Sequence, residues 1–225
     1  MIQKPIFSPQ VEWLPPTEFP DLSKYSEIAI DLETKDPELK TMGSGSVTGR
    51  GQIVGVAVAV QDWSGYYPVA HEGGGNMDKS MVMKWFQDVL NTEATKIFHN
   101  AMYDVCFIRA AGLKIFGKVV DTMIAGSLVD ENRFRYDLGS MGRDYVGRGK
   151  NEAVLAETAK EWGIDAKSEM YKLPAMYVGA YAEADAQLTL DLWQEMKKEI
   201  INQDIEDIFK LETELFPCLV DMRFL

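Results

Sequence analysis

Three apolar, strand-like runs follow one another closely near the start of the chain, and they narrow the possible folds more than any other feature. These runs are IAIDL at 28–32, IVGVAVAV at 53–60 and GYYPVA at 65–70, and they favour an antiparallel meander. Two shorter runs, KIFHN at 96–100 and GKVV at 117–120, are separated by a helix-compatible segment. Such strand–helix–strand units form parallel pairs. The sequence therefore predicts an α/β fold, with helices flanking a mixed sheet of antiparallel and parallel strands.

The chain divides into three expected parts. Residues 1–25 hold five of the nine prolines and are expected to form an extended lead-in. Residues 26–203 carry the predicted sheet and most helices, and we expect them to form the main domain. Residues 204–225 predict an apolar-striped helix that stops without a capping residue, which suggests the start of a further domain.

Charge and composition limit the function classes. No run of 18 apolar residues is present, so no membrane span is predicted, and the two cysteines are expected to be reduced thiols in the cytoplasm. The net charge of −12 is the wrong sign for a nucleic-acid binder, unless metal ions and a partner supply positive charge. Residues 133–150 differ from the rest of the acidic chain, because they carry a local charge of +3 and interleaved aromatic side chains. That segment is either a single-strand binding surface or a solvated face.

Four carboxylates stand where apolar side chains are expected. The pattern Asp-x-Glu occurs three times, but only Asp31 and Glu33 end a strand-like run. Asp104 and Asp185 each interrupt an apolar stripe with helical spacing. An ionised carboxylate that faces a core is costly unless it is paired or bound to a cation. We therefore expect a shared divalent metal, with a helix cap or a salt bridge as the open alternative at each position.

These residues resemble the proofreading 3′→5′ exonuclease domain of family A (Pol I-like) DNA polymerases, which belongs to the ribonuclease-H-like DEDD exonucleases. IAIDLET at 28–34 resembles the first motif of that family, HNAMYD at 99–104 the second, and YAEAD at 181–185 the third. Two further fragments, DTMIAGSLVDEN and KLPAMYVGAYAEADAQLTLDLW, resemble bacteriophage members. The resemblance covers about residues 25–200, and the motifs occur in the family's order.

The resemblance implies that two Mg²⁺ or Mn²⁺ ions hydrolyse the terminal phosphodiester of DNA. Asp31, Glu33 and Asp185 would hold one ion, and Asp31 would also reach the second ion, which Asp104 helps to hold. Tyr181 would orient the attacking water. These five residues are the implied catalytic set.

The resemblance also implies substrate contacts and partners. Asn100 would donate to the sugar or phosphate, Leu39 would wedge the terminal base, and Thr34 would contact the strand. Independently of the resemblance, Arg133 and Arg135 of the basic segment 133–150 are expected to contact the strand if that segment is a binding surface. The expected partners are a single-stranded DNA 3′ end and a polymerase domain in the same polypeptide, whose first helix would be residues 204–225. If the protein is of phage origin, it would act in the cytoplasm of a bacterial host, with no membrane partner.

Two alternatives stay open from the sequence. A stand-alone ribonuclease D-like or repair exonuclease shares the same carboxylate-and-tyrosine pattern. A catalytically inactive interaction module could retain the fold without the chemistry. Adding Mn²⁺ and following thermal stability would separate an active site from an inactive one, because only the former should respond.

Overall fold

A computed structural model describes residues 11–225, which contain a five-stranded mixed sheet in the order β3-β2-β1-β4-β5. Neighbouring strands β1, β2 and β3 are antiparallel, whereas β1, β4 and β5 are parallel. The predicted fold class is confirmed. The strands are β1 (Glu27–Lys35), β2 (Gln52–Val60), β3 (Trp63–Pro68), β4 (Thr95–Phe98) and β5 (Val119–Asp121).

Helices cover both faces of this sheet. The long helix α8 packs against β1, β2 and β3, and the last helix contacts α4 and β5. The α-helices are α1 (Leu39–Met42), α2 (Gly45–Thr48), α3 (Lys79–Leu90), α4 (Ala101–Ala110), α5 (Thr122–Val129), α6 (Leu138–Met141), α7 (Ala153–Glu161), α8 (Gly179–Asn202) and α9 (Glu206–Arg223).

The alternation of side chains along β1 divides the core into two halves. Ile28, Ile30 and Leu32 lie in the cluster that includes residues of α3 and α4. Ala29 lies in the opposite cluster, with residues of α5 and α8. Because successive strand side chains point to opposite faces, Asp31 and Glu33 share the face of Ala29, toward α8.

The helical segment 138–146 is not one regular α-helix. It consists of α6 followed by a π-helix, Gly142–Val146. A side chain at Gly142 would lie 2.6 Å from the carbonyl oxygen of Arg148 and 2.9 Å from Leu188, so only glycine allows this close approach. The local sequence pattern does not show this, because the constraint comes from the Arg148 carbonyl and from Leu188 on α8.

The predicted domain boundaries stay predictions. Of the expected lead-in, residues 1–10 lie outside the described residues, and 11–25 contain no helix or strand. Helix α9 begins near the predicted boundary at 204, yet Phe209, Phe216 and Val220 on it are buried in the two core clusters.

Candidate active site

The first two carboxylates lie where β1 runs beyond its parallel neighbour. Pairing between β1 and β4 reaches only as far as Ala29, whereas pairing with β2 continues to Lys35. The side chains of Asp31 and Glu33 are therefore at the carboxyl end of a parallel pair, where α/β sheets commonly bind ligands. Both are partly exposed.

Asp104 reaches the same strand from the first turn of α4. It is buried, and its Oδ1 accepts a hydrogen bond of 3.0 Å from the backbone N–H of Leu32, between the two carboxylates of β1. Asp104 thus contacts the strand edge that β4 leaves free, and it does not cap its own helix. The predicted convergence of Asp104 with the β1 carboxylates is present.

A further aspartate, Asp121, fixes the start of α4. Its carboxylate accepts the backbone N–H groups of Asn100 at 2.9 Å and Ala101 at 2.8 Å, and it also caps α5 through Met123. Asn100 has a left-handed backbone (φ 65°), which asparagine tolerates better than most residues. Asp121 is not among the residues predicted for the site, although an aspartate just before an apolar helix is an N-cap signal.

The third motif lies on α8, opposite β1. Asp185 is 2% exposed, and its Oδ1 is buried without a hydrogen-bond partner among residues 11–225. Tyr181 lies one turn earlier on the same helix face. Lys150 joins both: its Nζ is 2.5 Å from Asp185 Oδ2 and donates a 2.8 Å hydrogen bond to the Tyr181 hydroxyl.

Negative charge in the site is incompletely compensated. Burial and the nearby charge of Asp185 raise the pKa of Asp31 to about 7. Burial and the neighbouring aspartates raise the pKa of Glu33 and of Asp104 well above the usual carboxyl range. Burial also raises the pKa of Asp185, although Lys150 opposes that shift. The raised pKa values of Asp31, Glu33 and Asp104 each include repulsion from another carboxylate of this set.

The donor set fits divalent cations, although the carboxylates are not arranged as a ready metal cage. Across residues 11–225, no three His, Cys, Asp or Glu side chains form a metal-binding cluster as they stand. The four acids nevertheless supply the hard oxygen ligands that Mg²⁺ and Mn²⁺ prefer. The unpartnered Asp185 Oδ1 and the raised carboxyl pKa values both mark a need for positive charge.

A cavity of about 630 Å³ lies beside Glu33 and Tyr181. Some of the residues predicted to contact the substrate line this cavity, and others do not. Thr34 and Arg135 line it together with Glu33, Lys150 and Tyr181. Thr34 Oγ1 lies 2.8 Å from the Tyr103 hydroxyl, which also lines the cavity. A larger cavity of about 760 Å³ lies between α4 and α9, away from the carboxylates.

The other predicted contacts lie outside that lining. Leu39 is 43% exposed at the start of α1, and Asn100 is exposed at its left-handed turn. Arg133 is already engaged, since its guanidinium is 2.7 Å from Asp144 and 5.2 Å from the centre of the Tyr145 ring. Of the residues predicted to contact the substrate, only Thr34 and Arg135 therefore line the cavity.

The histidine in the second motif is not placed for acid–base chemistry. His99 Nδ1 is 2.8 Å from Thr122 Oγ1, and burial lowers the pKa of His99 to about 4. It is therefore neutral near pH 7 and packs as a structural residue.

Comparison with known proteins decides the family. Residues 19–201 match the sequence profile of a family described as 3′→5′ exonuclease. The chain belongs to this exonuclease family. A DNA-directed DNA polymerase of Pseudomonas phage M6 is 34% identical over 99% of the chain, which covers 35% of that polymerase. The chain thus spans about a third of the length of this relative.

Solved structures of nucleases share the fold. NrnC of Brucella melitensis with bound Mg²⁺ superposes with a TM-score of 0.62 at 16% identity, covering 90% of this chain and 87% of NrnC. RNase D of Escherichia coli, an exoribonuclease involved in structured RNA processing, gives a TM-score of 0.59 at 14% identity, covering 90% of this chain and 46% of RNase D. At these identities the likeness concerns the fold alone. No helix within residues 11–225 is long and apolar enough to cross a membrane.

Proposed function

We propose that the chain is a metal-dependent 3′→5′ exodeoxyribonuclease that proofreads for a family A DNA polymerase. The observation that carries this proposal is the placement of the four carboxylates around β1. Glu33 and Tyr181 line one cavity, Asp104 hydrogen-bonds to the strand between Asp31 and Glu33, and Asp185 lies one turn from Tyr181 on α8. Family membership supports the exonuclease reaction, and the phage polymerase relative supports DNA as substrate.

The four carboxylates and Tyr181 would have different roles in the reaction, according to their positions. Asp31, Glu33 and Asp185 would hold one ion between β1 and α8, and Asp104 would help to hold a second beside Asp31. When bound, Mg²⁺ or Mn²⁺ would lower the pKa of the attacking water and neutralise charge on the leaving 3′-oxygen. Tyr181 keeps its proton, because burial and the charge of Glu33 raise its pKa. Its hydroxyl can therefore donate to, and orient, the water.

The charge of the chain implies weak binding of DNA. Two divalent ions would still leave the net charge of −12 strongly negative. Arg135, on the cavity wall, and Phe134, which is 95% exposed next to it, are available for a phosphate and a base. We therefore propose a short single-stranded 3′ end as the substrate, bound with a shallow salt dependence.

A polymerase domain in the same polypeptide would supply most of the affinity. The phage relative is about three times as long as the region it shares with this chain. A linked domain that binds DNA raises the local concentration of the 3′ end at the exonuclease cavity. We expect this work to take place in the cytoplasm of a bacterial host.

The proposal is tested with matched strands. A 5′-labelled single-stranded DNA and an RNA of the same sequence are incubated with the chain in Mg²⁺, and in EDTA as control. Stepwise shortening of the DNA from its 3′ end, faster than that of the RNA and absent in EDTA, is expected. Faster RNA shortening would favour the ribonuclease D-like alternative, and no shortening of either strand would favour the inactive module.

A further inference from the structure

Lys150 is the one lysine or arginine within residues 11–225 that forms an ion pair with any of the four site carboxylates. Besides its contacts with Asp185 Oδ2 and the Tyr181 hydroxyl, its Nζ lies 5.0 Å from the centre of the Tyr181 ring. The side chain is 25% exposed and forms part of the cavity wall. A cation therefore already stands between β1 and α8.

The loop that carries Lys150 is fixed to α8. Residues 147–152 contain no regular structure and connect the π-helix to α7. Gly147 turns the chain with a left-handed backbone (φ 83°), and Arg148 forms an ion pair with Asp191, further along α8 than Asp185. Lys150 thus comes from an anchored loop, so its position at the carboxylates belongs to the fold.

We propose that Lys150 is a built-in counter-cation of the site: in the metal-free protein its ammonium group takes a cation position at Asp185, and a divalent ion displaces it on binding. The inference rests on the proposed metal site. Asp185 Oδ1 has no partner, while Oδ2 is held by Lys150. A lysine ammonium and a divalent ion that both contact the Asp185 carboxylate would repel each other, because like charges at short distance interact strongly in a buried site.

This role makes Lys150 a positioning residue with two opposed effects. Without metal, it holds Asp185 and Tyr181 in place and offsets the repulsion among the carboxylates. During metal binding, it competes for Asp185 and lowers the apparent affinity. A merely structural lysine would act differently, because its loss would loosen Asp185 and weaken metal binding.

Mn²⁺ affinity separates these roles. Calorimetric titration near pH 8, where carboxyl ionisation is favoured, compares wild type with Lys150→Met and Lys150→Arg. Lys150→Met should bind Mn²⁺ at least about tenfold more tightly, because a repelling charge is gone, and Lys150→Arg should stay near wild type. Lys167→Met is the matched control, since Lys167 is exposed on the same cavity and has the same charge. Equal or weaker binding by Lys150→Met would overturn the proposal.

A second measurement uses the wild-type chain alone, so it tests the displacement of Lys150 even if Lys150→Met fails to fold. Acylation of lysines by an N-hydroxysuccinimide ester is followed by peptide mass spectrometry, with and without Mn²⁺. Lys150 should react slowly in EDTA and several-fold faster in Mn²⁺, while Lys167 should not change. A Lys150 rate that Mn²⁺ leaves unchanged or lowers would contradict displacement.

The two proposals fail in different ways. If wild type binds Mn²⁺ and Lys150→Met binds it no more tightly, the counter-cation proposal is overturned but the proposed metal site is not. Absence of Mn²⁺ binding by wild type would overturn both the metal-dependent mechanism and the displacement of Lys150.

Discussion

The carboxylate of Asp104 accepts the backbone N–H of Leu32 at 3.0 Å, although the two residues are 72 positions apart in the chain. This hydrogen bond joins the first turn of α4 to the part of β1 that β4 does not cover. Asp104 therefore has two separable properties, a negative charge in the site and an acceptor for the strand.

Substitutions at Asp104 should separate those properties. Asp104→Asn keeps an oxygen acceptor for Leu32 and removes the charge, whereas Asp104→Ala removes both. Both variants should lose nuclease activity. Asp104→Ala should be less stable than Asp104→Asn by about 1–3 kcal/mol, because a buried N–H is left without a partner. Urea unfolding measures the difference, and equal stabilities would show that the Leu32 hydrogen bond is energetically unimportant.

The metal-free chain should lose stability as the pH rises from about 6.5 to about 8. Above that range the buried Lys96, whose pKa is lowered to about 8, acts with the opposite sign. Folding raises the pKa of Asp31 to about 7, and raises those of Glu33 and Asp104 further above the usual range. Because the folded state holds these protons more tightly, stability falls between the unfolded-state pKa and the folded-state pKa of each group, so Asp31 contributes up to about pH 7 and the two groups with higher pKa contribute beyond it. Burial lowers the pKa of His71 and His99 to about 4. Their protonation therefore affects stability only below about pH 6.5, the usual histidine pKa, and does not contribute to the predicted fall.

Thermal unfolding in EDTA at several pH values checks this sign. Asp31→Asn removes one of the titrating groups and should reduce the fall in melting temperature across the window. Glu206→Ala, a carboxylate in another Asp-x-Glu triplet at the start of α9, is the control and should leave the fall unchanged. A wild-type melting temperature that rises with pH in this window would contradict the account.

Removing the Tyr181 hydroxyl should slow cleavage and spare the metal. Tyr181→Phe keeps the ring on α8 but loses the group that would orient the attacking water, an effect of roughly 10²-fold on kcat. Mn²⁺ affinity should stay close to that of wild type, because the hydroxyl is not a metal ligand in this account. An unchanged kcat would show that the Tyr181 hydroxyl takes no part in the reaction and that the side chain only packs on α8.

Two neighbouring arginines should respond differently to charge reversal. Arg135→Glu should weaken single-stranded DNA binding several-fold without lowering the melting temperature, because Arg135 is exposed on the cavity wall. Arg133→Glu should lower the melting temperature, since it breaks the contacts with Asp144 and Tyr145. Lys84→Glu, exposed on α3, is the control for net charge. Equal effects of both arginine variants on DNA binding would contradict this division.

The sequence predicted the sheet and the carboxylates because both follow local rules. The alternation along β1 places Asp31 and Glu33 on one face, and the four-residue spacing places Tyr181 and Asp185 on one side of α8. Each of these inferences needs only the period of one element. Strand order then brings the elements together.

The remaining features depend on contacts between distant segments. Lys150 lies in an irregular loop, and its partner Asp185 is on another element, so no spacing in the sequence joins them. Asp121 fixes the turn at Asn100 from the end of a neighbouring strand. The π-helix begins at Gly142, where the Arg148 carbonyl and Leu188 of α8 leave no room for a side chain.

Anomalous X-ray diffraction from crystals of the chain soaked in Mn²⁺ would show directly whether Asp31, Glu33, Asp104 and Asp185 form a divalent-metal centre. We predict two anomalous peaks among these carboxylates, with Asp31 as a ligand of both ions and with Lys150 moved away from Asp185. Soaked crystals with no anomalous peak at this site, and with the Lys150–Asp185 ion pair intact, would contradict the account.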